Sequence, residues 1–173
     1  MRGKRAKKRE QVGDRKYGNL TISRLINKVM QDGKKTIAED LVYTALESAA
    51  ESAKEKDIAT FIAKVVENIK PALEIRARRV GGANYQVPVP VSPRRQETLA
   101  IRWIVDTSRA KSGSSFDKTL ATELLNAYNG EGEAIKKKQD TERMAEQTKH
   151  SHISNGNLKY INIVDLRGAR APF

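Results

Sequence analysis

Hydrophobic positions first recur with a helical period. Ile22, Leu25, Ile26, Val29 and Met30 stand at i, i+3, i+4, i+7 and i+8, one face of a helix that Gly33 is expected to end as a left-handed cap. A second helix is expected over 35–54, with Ile37, Leu41, Ala45 and Ala49 on its apolar side and Glu39 and Glu47 off it. A third spans 58–69. Its stripe is Ile58, Phe61, Ile62, Val65, Val66 and Ile69; Asp57 suits the N-cap and Pro71 stops the helix. The period then falls to two. Leu73, Ile75 and Ala77 alternate with Glu74, Arg76 and Arg78, and after Gly81-Gly82-Ala83-Asn84 a return strand sets Tyr85, Val87, Val89 and Val91 on one face. Pro88 and Pro90 share parity, so both can turn their missing N–H away from the partner strand. The pattern predicts a stiff hairpin at about 72–91 whose outer edge is blocked.

Helical spacing returns at Ser92-Pro93, a favourable N-cap and first-turn pair. Leu99, Ile101, Trp103, Ile104 and Val105 make 93–109 apolar nearly all round, as expected of a central helix. A fifth helix is expected over 116–128, burying Leu120, Leu124, Leu125 and Tyr128 and ending at Asn129-Gly130. A polar sixth is expected over 131–149. Beyond residue 150, KYINIV suits a short strand and RGARAPF a flexible end. The expected fold class is mainly all-α: one helical domain over 19–149 with a protruding two-stranded β-hairpin arm. A basic N-terminal arm over 1–18, disordered or ordered by a ligand, and a C-terminal tail over 150–173 flank it.

Charge turns the picture from fold to partner. The 173 residues carry 33 Lys or Arg against 21 Asp or Glu, a net +12. Met1–Lys16 holds eight cations and two acids, Lys70–Arg95 holds six and one, and the remainder is nearly balanced at nineteen against eighteen. Two short cationic segments on a neutral body point to an anionic polymer. Charge kept only for solubility is spread more evenly. Enzyme chemistry finds little support. There is no cysteine, which excludes disulfides, thiolate metal sites and a Cys nucleophile. His150 and His152, the only histidines, have no acids beside them to complete a metal site, and there is no Walker-type loop or dinucleotide fingerprint. No cofactor, catalytic group or small-molecule substrate is expected. No apolar run has the length of a spanning helix and no apolar segment follows the basic start, so neither a membrane nor a secretory signal is expected.

The candidate contact residues come from the cationic segments. Arg2, Lys4, Arg5, Lys7, Lys8 and Arg9 lie in the arm, and Lys34 and Lys35 follow Gly33 between two helices. Arg76, Arg78 and Arg79 lie on or beside the ribbon's polar face, where guanidinium forks can grip phosphate and stack on bases. Gly81 and Gly82 let backbone approach a phosphate or sugar closely, with Asn84 beside them. Tyr85 suits either stacking on an unpaired base or packing at the hairpin base. Arg94 and Arg95 occupy the first turn of a helix, where cations are disfavoured by about 0.3–1 kcal/mol. A bound anion reverses that sign, with free N–H groups and both guanidiniums facing it. Lys136–Lys138 are as well explained by a solvated face as by a contact.

Four blocks carry a resemblance: DGKKTIAEDLVYTAL (32–46), ENIKPALEIRARRVGGANYQVPVPV (67–91), LAIRWIVDTSRA (99–110) and AIKKKQDTERMAE (134–146). In this order they resemble the bacterial-type family of small ribosomal subunit protein seven, over roughly residues 14–149. The resemblance implies a helical domain with a protruding hairpin, primary binding to the 3′ major domain of 16S rRNA, and nucleation of head assembly. It implies a place in the cytoplasm near the exit-site tRNA and the mRNA path, beside small-subunit proteins nine and eleven. It implies rRNA contacts at Arg2–Arg9, Lys34-Lys35, Arg76–Arg79 and Arg94-Arg95, with Gly81–Asn84 toward tRNA. Two features depart from the family pattern. The usual proline before Lys-Tyr-Gly is absent where the chain reads Asp14-Arg15-Lys16-Tyr17-Gly18, and 150–173 matches no family pattern. Among rival readings, an architectural DNA-binding protein wedges prolines between base pairs, but Pro88 and Pro90 sit near the ribbon's base rather than its tip. An rRNA-modifying enzyme lacks a cofactor motif, and a membrane-surface arm lacks an apolar anchor.

Overall fold

The computed structural model describes residues 3, 6, 10–80 and 83–154. Three helices, α1 (Leu20–Val29), α2 (Lys35–Ser52) and α3 (Ile58–Ile69), precede a hairpin of β1 (Leu73–Val80) and β2 (Ala83–Pro90). Then come α4 (Pro93–Ala110), α5 (Phe116–Tyr128) and α6 (Glu133–Ser154). The mainly helical class with one two-stranded ribbon is what the periodicity predicts. Local chemistry starts the early helices: Asn19 accepts from the Thr21 N–H at 2.8 Å, and Asp57 accepts from the N–H groups of Ala59 and Thr60 at 3.1 and 3.2 Å. The core lies where α5 meets α2, α3 and α4. Leu46, Phe61, Ile62, Ile104, Leu120 and Leu124 are fully buried there, and Phe61 stacks on Tyr128 with ring centroids 5.2 Å apart.

Several helices depart in detail from the sequence pattern. α1 ends at Val29 with Met30 as its cap, and Gly33, though left-handed at φ +74°, sits further on in the connecting turn beside left-handed Asp32. The freed Val29 carbonyl accepts from Arg109 of α4 at 2.9 Å, a partner remote in sequence. α2 buries Ala38, Val42, Ala45, Leu46, Ala49 and Ala50, while Ile37 is 56% exposed and Leu41 only half-buried. Its face is therefore rotated from the expected one, and Glu39 is buried rather than solvated. That carboxylate has Lys35 at 3.7 Å and Arg15 at 4.0 Å, which offsets the cost of burial. On α5, Leu125 and Tyr128 are half-buried. α6 continues through His150 and His152 to Ser154, beyond the expected end at 149; the strand expected of KYINIV lies outside the described residues.

Polar pins join the helices. Asn68 of α3 donates to the carbonyls of Ala127 and Tyr128 at 3.0 and 3.1 Å, closing the C-terminal end of α5, and Lys138 of α6 donates to the Asn68 carbonyl at 2.9 Å. Glu123 of α5 is fully buried. It accepts from Lys111 Nζ at 2.7 Å and from the Ala134 N–H at 2.9 Å, capping α6 from a neighbouring helix.

In the ribbon, Val80 pairs with Ala83, so β2 begins earlier than a four-residue turn allows. Gly81 and Gly82, the connection, lie outside the described residues. Pro88 and Pro90 pair with Ile75 and Leu73. The Val91 N–H donates to the Ala72 carbonyl at 3.1 Å, which places odd-numbered residues of β2 in the hydrogen-bonded set and both prolines in the outward set. The proposed blocking of that edge follows.

Replacing Glu123 by Ala is expected to cost about 2–3 kcal/mol, because the Lys111 ammonium and the Ala134 N–H lose their shared acceptor. Urea unfolding of the variant measures this; a change below about 0.5 kcal/mol would show that the pin contributes little.

Candidate nucleic-acid interface

The ribbon is aimed by its root. The Ala72 N–H donates to Glu142 of α6 at 2.8 Å, and Gln96 of α4 donates to the Pro71 carbonyl at 3.0 Å. Beside them Arg95 Nη2 donates to Glu74 Oε1 at 2.7 Å, and Arg76 lies 3.5 Å from Glu74 Oε2. Arg95 holds the Glu74 carboxyl below its ordinary range; burial opposes this, and the field of Arg76 adds to it. Glu74 Oε2 and Arg95 Nε are buried without a hydrogen bond, so the pair is joined by one bond rather than a fork.

The expected polar face of the ribbon is not purely polar. Cross-strand partners share a face, and the register pairs Arg76 with Val87, Arg78 with Tyr85 and Glu74 with Val89. Arg79, paired with Asn84, belongs to the opposite face with Gln86 and Ala77. Arg78, Arg79 and Asn84 are exposed. The start of α4 also differs from expectation. Arg95 turns to Glu74 and Arg94 is exposed, while the N–H groups of Arg95 and Gln96 already bond the Ser92 carbonyl at 2.8 and 2.9 Å. The two arginines therefore do not converge on one anion in this structure.

Arg94 joins a different group. With Thr98 and Arg102, one turn and two turns along α4, it lines a cleft against Arg24 and Lys28 of α1, with Gln11 at its edge. Arg24 is ion-paired with Glu97 and donates to Gln11 Oε1 from Nε at 2.9 Å and Nη2 at 2.6 Å. Lys28 lies 3.9 Å from Asp106. Arg94 and Arg102 are exposed, and their guanidinium groups have no ionic or hydrogen-bonding partner among the described residues; the Arg94 carbonyl accepts from the Thr98 hydroxyl at 2.8 Å. Sequence reading missed Arg24, Lys28 and Arg102. The i, i+4, i+8 spacing of Arg94, Thr98 and Arg102 was the available signal.

Lys34 and Lys35 stand apart from this cleft. Both are exposed at the start of α2, Lys35 facing Glu39. Arg2, Lys4, Arg5, Lys7, Lys8 and Arg9 lie outside the described residues, as do Gly81 and Gly82. The end of the segment read as an arm is a built turn. Asp14 accepts from the N–H groups of Lys16, Tyr17 and Asn19 at 3.1, 2.9 and 2.7 Å and from the Tyr43 hydroxyl at 3.1 Å. Lys16 pairs with Glu47, Tyr17 donates to Glu47 at 3.0 Å, and the Tyr17 and Tyr43 rings meet edge-on at 5.8 Å. Burial pushes the Asp14 carboxyl up, but the bonds from Tyr17, Asn19, Tyr43 and Lys16 outweigh it and hold the carboxyl below its ordinary 3.8.

Among the described residues no group of three or more His, Asp or Glu is placed to hold a metal ion, and no helix is long and apolar enough to cross a membrane.

The depressed Asp14 carboxyl fixes the sign of an acid effect. Its stabilising contribution is complete above the ordinary value of 3.8 and is lost as pH falls through the lower folded value. Urea midpoints measured from about pH 6 to pH 2 should fall less steeply at the acid end for Asp14→Asn than for the unaltered chain. Parallel acid limbs would show that Asp14 carries no such contribution.

Residues 1–149 match the profile of the family described as Ribosomal protein S7p/S5e. Over 149 residues the chain is 52% identical to the small ribosomal subunit protein uS7 of Nautilia profundicola, covering 86% of this chain and 96% of that relative. The uS7 of Thermotoga neapolitana is 52% identical over 84% of this chain and 94% of its own, and that of Xanthobacter autotrophicus 49% over 82% and 90%. With agreement at about half of the matched positions along nearly the whole length of these relatives, the chain belongs to the ribosomal protein S7p/S5e family, whose members are structural constituents of the small ribosomal subunit.

Proposed function

We propose that this chain binds 16S rRNA directly, in the 3′ major domain, and nucleates assembly of the subunit head. The observation that carries the reading is the α1/α4 cleft, where the exposed, unpartnered guanidinium groups of Arg94 and Arg102 join Arg24 and Lys28 beside the root of a cationic ribbon. Folded RNA offers phosphate backbones to a cleft and unpaired bases to a projecting ribbon at once. The arm cations Arg2, Lys4, Arg5, Lys7, Lys8 and Arg9 add further phosphate neutralisation, and Lys34 and Lys35 a smaller separate contact. In the subunit the ribbon tip, Gly81, Gly82, Asn84 and Tyr85, faces the exit-site tRNA and the mRNA path. Small-subunit proteins nine and eleven are the neighbours, and the place of work is the cytoplasm. This is a scaffolding role that needs no catalytic group.

Binding to a 3′ major-domain rRNA fragment, with equal-length duplex DNA as competitor at physiological salt, tests the reading. Retained binding supports it, and loss of binding to DNA in proportion to added phosphate would leave only a generic polycation. Arg94→Ala, Arg102→Ala, Arg76→Ala and Arg78→Ala are each expected to weaken rRNA binding by about 1 kcal/mol or more. An undiminished affinity in the Arg94/Arg102 double variant would remove the cleft from the interface.

A further inference from the structure

The ribbon leaves the helical body through a short connector. Ile69 ends α3, and the Lys70 N–H closes it by donating to the Val66 carbonyl at 3.0 Å. Pro71 has no N–H to give, so Ala72 carries the next backbone donor along the chain. The Ala72 carbonyl already accepts from the Val91 N–H at 3.1 Å, across the base of the ribbon. α6 holds both ends of this connector. Lys138 donates to the Asn68 carbonyl at 2.9 Å, and Glu142, one turn further on, accepts from the Ala72 N–H at 2.8 Å. Residues i and i+4 share a helix face, so one face of α6 grips the last turn of α3 and the root of the ribbon together. Ala145, fully buried, continues that face. Glu142 is an unexpected occupant of this place. The ribbon beside it carries Arg76, Arg78 and Arg79, and a carboxylate near a phosphate-binding surface repels phosphate. Glu74 at least pairs with Arg95, whereas half-buried Glu142 forms no ion pair among the described residues and bonds only backbone. Its charge does nothing for the binding of an anion. Its oxygen holds the connector.

We propose that Glu142 is a positioning residue for RNA binding, a strut from α6 that fixes the angle at which the ribbon leaves the body. A ribbon held at one angle presents Arg76 and Arg78 to RNA already oriented. A ribbon hinged at Pro71-Ala72 and free to swing must be ordered when it binds, and that ordering opposes association. The strut acts through the Ala72 N–H and touches no RNA itself. The proposal rests on the reading of the ribbon as an RNA contact.

Two substitutions on the full-length chain separate the strut from the charge. Glu142→Gln and Glu142→Ala remove the same negative charge, but glutamine keeps an oxygen that can accept from the Ala72 N–H and alanine does not. Repulsion alone predicts that both variants bind the 3′ major-domain rRNA fragment equally well, no more weakly than the unaltered chain. The strut predicts that Glu142→Ala binds about threefold to tenfold more weakly than Glu142→Gln. The gap should shrink below about twofold when Arg76→Ala and Arg78→Ala are also present, because the ribbon then has little to position. The chain has no cysteine, so Ala77→Cys on the ribbon and Lys118→Cys on α5, both exposed, can carry a pair of spin labels. Without RNA, the distribution of distances between them should broaden in Glu142→Ala and stay narrow in Glu142→Gln. Equal affinities of the two Glu142 variants would overturn the proposal, as would equal distance distributions. If affinities are equal while Arg76→Ala with Arg78→Ala still weakens binding, the ribbon remains a contact and the strut alone fails. If that arginine pair can be removed without loss of affinity, the reading of the ribbon as a contact fails, and the strut falls with it.

Discussion

Like charges repel each other, and in this basic chain carboxylates set among the cations join separate elements of the fold. Glu97 of α4 binds Arg24 of α1 and accepts from the Thr21 hydroxyl at 3.0 Å. Glu74 of the ribbon binds Arg95 of α4, and Glu47 of α2 binds Lys16 of the N-terminal turn. Each of these acids joins two elements remote in sequence, so the contact that lowers repulsion also fixes geometry. The side chains of Glu74 and Glu97 are each only 20% exposed, where ion pairs are screened less than at an open surface. What remains after this neutralisation is directed outward. Arg94 and Arg102 keep their charge unpartnered beside the pairs.

The helical body supplies a platform for these groups with few large side chains. Alanines on α2 and α5 let helices approach closely, and buried Leu, Ile and Val side chains with Phe61 fill the rest. Close approach leaves helix ends inside the fold, and side chains from neighbours satisfy them: Asn68 at the end of α5, Glu123 at the start of α6, Arg109 at the end of α1. The ribbon inherits its direction from this body, because α4 bonds Pro71 and α6 bonds Ala72 at its root.

Much of the fold was legible because its signals are local. The stripes of α1 and α3, the Asp57 cap, Ser92-Pro93 and the parity of Pro88 and Pro90 each lie within a few neighbouring residues. The misreadings involve partners far along the chain. Glu39 looks solvated until Arg15 and Lys35 are brought to it, and Arg95 looks free until Glu74 is folded against it. Alternation within one strand does not say which side of the neighbour it shares. That depends on the length of the turn, and here Val87 and Val89 fall in with Arg76 and Glu74. The cleft was invisible for the same reason: Arg24 and Arg102 lie in separate helices and meet only in three dimensions.

The two prolines of β2 bear on the life of the molecule before it meets a partner. Bare strand edges recruit each other through their outward N–H groups, and the resulting stacks grow. Pro88 and Pro90 delete two successive donors from the outward row of β2, so a second ribbon arriving at that end finds carbonyls without the N–H groups that would alternate with them. That stretch of the β2 edge can stay extended without offering a template for such a stack.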